Sequence, residues 1–84
     1  NMTEFNQEKY LKKCLKDARG KVAYAFMNDV DPILLKHAED TVIRLARALS
    51  DLQDGIEVEE EIKEQQKLIE DAEKWYQEQN ARSV

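Results

Sequence analysis

The stretch LKHAEDTVIRLARALSDLQDGIEVEEEIKEQQKLIEDAEKWY, residues 35–76, decides the fold. Leu35, Ala38, Val42, Leu45, Leu49 and Leu52 recur with alternating spacings of three and four. Val58, Ile62, Gln65, Ile69, Ala72 and Tyr76 repeat the pattern beyond Asp54-Gly55. Each line places its side chains on one face of a helix, and that face needs apolar cover. The two lines are out of step. Extending the first past Leu52 calls for apolar residues at 56, 59 and 63, yet Glu59 and Lys63 hold the last two places. A turn with Gly55 in the left-handed conformation accounts for both the glycine and the phase jump. The competing reading is one long helix over 32–79 with a local register defect. The phase jump favours two helices, over 32–53 and 56–79.

Towards the N-terminus, Leu11, Leu15, Ala18, Val22 and Phe26 form a third line, with Cys14 and Ala25 at its edge. The spacing predicts a first helix over about 4–28, capped by Thr3 or Asn6. Gly20 lies inside it, at a cost of roughly 1 kcal/mol relative to Ala, and is also a possible helix end. The apolar phase runs through Gly20 unchanged, which favours a continuous helix. Asn28-Asp29-Val30-Asp31-Pro32 is a boundary: Asp31 suits the cap, Pro32 the first helical position, and Val30 and Leu35 a hydrophobic staple. Residues 80–84 read as a frayed tail.

Short loops between three helices give an all-α, antiparallel three-helix bundle, a single domain over residues 1–84. In that topology the first and third helices run parallel. Lys9, Lys12, Lys16 and Arg19 then lie beside Glu57, Glu60, Glu61 and Glu64, and Phe26, Leu34, Trp75 and Tyr76 gather at one end.

A chain of 84 residues hides only about two-thirds of its unfolded surface, so modest stability is expected unless it associates. Charged residues make up 37%, against about 25% in an ordinary domain, and Gly and Pro together number three. The single cysteine, Cys14, excludes an internal disulfide and fits a reduced, cytoplasmic setting. The longest apolar run, Val22 to Met27, is too short for a membrane span. Asn1 ahead of Met2 reads as an appended residue. Net charge is −5, and its distribution is uneven: residues 1–30 balance at +2, residues 54–84 at −6.

No catalytic signature appears. One histidine, His37, and one cysteine on a core stripe make no nucleophile–base pair, and no Gly-rich phosphate loop is present. Neither a metal nor a cofactor is expected, since Glu57 to Glu61 point around a helix rather than converging on an ion. The chain reads as a non-enzyme, a small acidic helical accessory protein of the bacterial or phage type. Tyr10, Lys13, Tyr24 and Met27 follow helical spacing with Gly20 on the side of the first helix away from its main line. Together with Trp75 and Tyr76 they are the candidate partner-binding residues, since tyrosine offers large, rigid contact area and glycine permits close approach. Association with a protein partner, or with a second copy as a homodimer, is the leading expectation. The alternatives are a purely structural homo-oligomer and a nucleic-acid role for Lys9, Lys12, Lys13, Lys16 and Arg19, the latter disfavoured by a pI near 4.9.

Overall fold

Asn6 opens the first helix, its side-chain oxygen accepting the Lys9 N–H at 3.0 Å. In the computed structural model, which describes residues 5–82, helix α1 spans Gln7–Met27, α2 Pro32–Gln53 and α3 Glu59–Arg82. Thr3 lies outside the described residues. Helix α1 passes through Gly20 unbroken. At its end, the backbone N–H and the side-chain amide of Asn28 both bond the Tyr24 carbonyl, at 3.0 and 2.8 Å. Asp29 then turns the chain with φ +50°, a conformation that Asp tolerates better than most residues. Asp31 caps α2 by accepting the Ile33 N–H at 2.8 Å, with Pro32 as the first helical residue.

Gly55 closes α2 with φ +80°. Its N–H bonds the Leu52 carbonyl at 3.0 Å, and the Ile56 N–H bonds that of Asp51 at 2.8 Å. This pair of bonds is a Schellman motif, so the long uninterrupted helix is excluded. The motif also corrects the expected start of α3. Residues 56–58 lie outside the helix, and Val58 is buried in the core before α3 begins at Glu59. At the other end α3 continues to Arg82 rather than fraying after residue 79, because no Gly or Pro interrupts it. Residues 83–84 lie outside the described residues.

Helices α1 and α2 make the tight pair, antiparallel, while α3 touches them far more sparingly and runs in the direction of α1. The core is Leu11, Leu15 and Ala18 from α1, Leu45 and Ala48 from α2, and Val58 and Ile62 from the third segment. Leu11 and Leu45 are its fully buried centre. Phe26, expected inside, is 76% exposed, and Ala25 is buried in its place. The small Ala25 lets the loop close over it, and the Val30 N–H bonds its carbonyl at 3.2 Å.

The radius of gyration is 15.0 Å, against about 12 Å for a compact domain of this length. Helices of 21, 22 and 24 residues, each more than about 30 Å long, set this elongated shape. Beyond Gln65, the residues expected to complete the core line (Ile69, Ala72 and Tyr76) are exposed.

Candidate functional site

The departure of α3 from the other two helices begins at a local anchor. Val58 and Ile62 are seated in the core, and Arg44 of α2 reaches across to Glu61, at 3.2 Å, and to Glu64. These two carboxylates, Glu64 foremost, raise the Arg44 pKa above its ordinary value. Gln65 is buried beside them, its side-chain amide donating to Glu61 at 3.3 Å. The first half of α3 is therefore held by apolar contact and by one arginine clasped between two acids one turn apart.

One turn further, the seat disappears. The facing residues of the hairpin are Ala18 of α1 and Ala38 of α2, and α3 presents Ala72. Small side chains on all three sides leave a gap that none of them fills. The result is an open cleft of about 410 Å³, lined chiefly by Cys14, Ala18, Leu45, Leu68, Ile69 and Ala72, with Tyr76 at its far end. Its wall is mostly apolar, and Asp17, Lys21 and Glu73 stand at its rim. The cleft can accept an apolar helical ridge. Among the described residues no set of His, Cys, Asp and Glu converges to hold a metal ion.

Of the candidate partner-binding residues, Trp75 and Tyr76 meet edge to face at 5.9 Å, and both are exposed. Tyr76 lines the cleft. Tyr24 and Met27 are exposed on α1, as is Lys13. Tyr24 borders a shallow surface depression with Gly20, Asp17 and Lys21. Asp17 and Lys21 line both depression and cleft, so the two surfaces are continuous.

Tyr10 is the exception. It is half-buried against the core and not on the outer side of α1, because one residue before Leu11 is only about 100° away around the helix. Its ring meets Phe5 at 5.2 Å, and its hydroxyl is buried without a hydrogen bond. Burial, and secondarily the Cys14 thiol one turn on, push the phenol pKa up to about 12.

The expected pairing of α1 lysines with α3 glutamates is also absent. Lys12 bonds Glu8 of its own helix at 3.2 Å, Lys63 answers Glu59 and Glu60, and Glu61 and Glu64 go to Arg44. Phe26, Leu34, Trp75 and Tyr76 form no buried aromatic end; all four are exposed. Sequence periodicity ranks Ala38, Ile69 and Ala72 as core. The small volume of the two alanines is the one sign in the sequence that the seam stays open at that level. No helix is long and apolar enough to cross a membrane among the described residues. Comparison with known proteins finds no matching family, no similar characterised protein and no similar solved structure.

Proposed function

We propose that this protein is a non-enzymatic protein-interaction module that receives an apolar helix in the cleft between α3 and the α1–α2 hairpin. The observation that carries the reading is the bare far half of α3. Leu68, Ile69, Trp75 and Tyr76 are all exposed on a helix whose buried side chains, Ile62 and Gln65, lie in its first half. A contiguous apolar surface beside a concave seat is characteristic of helix-in-groove recognition. Tyr24 and Met27 extend the surface on α1 and supply rigid and adaptable contacts respectively.

The test is capture from host lysate on the immobilised chain at moderate salt, with Ala72→Arg filling the cleft and Lys9→Glu as the control. A stoichiometric protein retained by the wild type and by Lys9→Glu, but lost by Ala72→Arg, is the expected result. Capture that is indifferent to Ala72→Arg overturns the reading. Recovery of nucleic acid alone, lost by Lys9→Glu, transfers the function to the basic face of α1.

A further inference from the structure

We infer that the helix entering this cleft is the far half of α3 from a second copy of the chain, in a reciprocal exchange. The inference rests on the helix-docking reading and names its occupant. Three observations carry it.

The first is area. The chain exposes 7116 Å², whereas a compact monomer of 9.8 kDa exposes about 5,200 Å². The surplus, counted over all 84 residues and so including the surface of those outside 5–82, is about 1,900 Å² per chain. If each of two copies hid half of its surplus, the total buried would be about 1,900 Å², a standard-size specific interface.

The second is reciprocity. A two-fold contact requires one chain to carry both complementary surfaces. Here each copy offers a cleft and, as one of its walls, an uncovered helix bearing Leu68, Ile69 and Tyr76. Ala18, Ala38 and Ala72 let a helix backbone approach closely. Packing the bare half of α3 against the partner's hairpin supplies the apolar cover that the helix lacks in its own chain.

The third is charge. Residues 16–21 of α1 balance at +2 and residues 70–73 of α3 at −3. Lys21 and Glu73 both stand on the rim of the cleft, yet neither makes an ion pair among the described residues. Exchange brings the acids of one copy to the cations of the other, with the like-signed alternatives repelled.

Sedimentation equilibrium of the full chain tests this. Expected is a mass twice 9.8 kDa for the wild type, and 9.8 kDa for Ala72→Arg and for Leu68→Lys. Both replace exposed residues, so helicity by circular dichroism should stay unchanged. Lys21→Glu and Glu73→Lys should each weaken self-association roughly tenfold. Mixing those two variants should restore the dimer, because each then meets an opposite charge on the other chain. A wild type that stays monomeric at on the order of 100 µM, where a micromolar dimer would be fully formed, overturns the inference. So does a dimer indifferent to both cleft variants, or a mixture that fails to recover, which would place the Lys21–Glu73 attraction within one chain. The docking reading fails separately. A monomer whose protein capture is still lost with Ala72→Arg keeps the cleft and assigns it another helix, whereas capture indifferent to Ala72→Arg removes the cleft itself.

Discussion

Tyr10 couples the fold to alkaline pH. Its hydroxyl is buried without a hydrogen bond, and its pKa is raised from 10.0 to about 12. The unfolded chain releases this proton near pH 10, while the folded chain holds it until about pH 12. Stability is therefore intact below pH 10 and is lost as pH rises through this window. Tyr10→Phe removes a buried hydroxyl that makes no well-formed hydrogen bond and only a weak contact with the Cys14 thiol, so at neutral pH it should be neutral or stabilising by up to about 1 kcal/mol. The informative comparison is urea denaturation of wild type and variant at pH 8 and pH 11. The stability difference between them should grow at the higher pH, with the variant the more stable. An unchanged difference would mean that the phenol is solvated in the native state. The misplacement of Tyr10 by periodicity has the same residue-scale origin. Periodicity groups residues by angle, and a side chain about 120° from the centre of a stripe, at its margin, joins whichever side its neighbours cover. Phe5, Cys14 and the core around Leu11 decide it.

At the scale of the helices, the boundaries are legible because short-range chemistry sets them. Asn6, Asp31-Pro32 and Gly55 act within four residues of themselves, and all three behave as their types require. The two glycines yield opposite expectations from one substitution. Gly20 is helical, and a methyl group added there would meet only open space, so Gly20→Ala should stabilise by about 1 kcal/mol. Gly55 also has open space, but its φ of +80° strains any L side chain, so Gly55→Ala should cost about 1 kcal/mol. Thermal melts of the two variants check the sign directly. The anchor of α3 is a third element-scale feature. Arg44 is part-exposed, so Arg44→Met should cost no more than about 1 kcal/mol, and less as salt rises. Hydrogen exchange should locate the loss in the first turns of α3, leaving α1 and α2 unchanged. What the sequence does not reveal is how far along α3 the contact extends. The line Val58, Ile62, Gln65, Ile69, Ala72, Tyr76 is uniform in spacing, yet only its first half is buried. Periodicity identifies the face that needs cover and is silent on whether the neighbours are tall enough to provide it. Ala18 and Ala38 are not.

For the whole molecule, a bundle closed at one end and open at the other combines modest self-stability with a large unsatisfied apolar surface. Dimensions of 45 × 29 × 19 Å describe an elongated body, and Leu68, Ile69, Trp75 and Tyr76 stand exposed on the far half of α3. The charge polarity visible in the sequence resolves into local pairs at the closed end and into opposite charges facing solvent around the cleft. Trp75 is the only tryptophan and lies on the bare half of α3, so its fluorescence reports this region alone. The most direct measurement is Trp75 emission over a dilution series from on the order of 100 µM to well below a micromolar Kd. Expected is a water-exposed spectrum at the lowest concentrations that shifts to shorter wavelength as the chain associates, with the shift absent in Ala72→Arg. A short-wavelength spectrum that persists at the lowest concentration would mean that α3 closes onto its own hairpin, and a water-exposed one at every concentration that no second copy covers it.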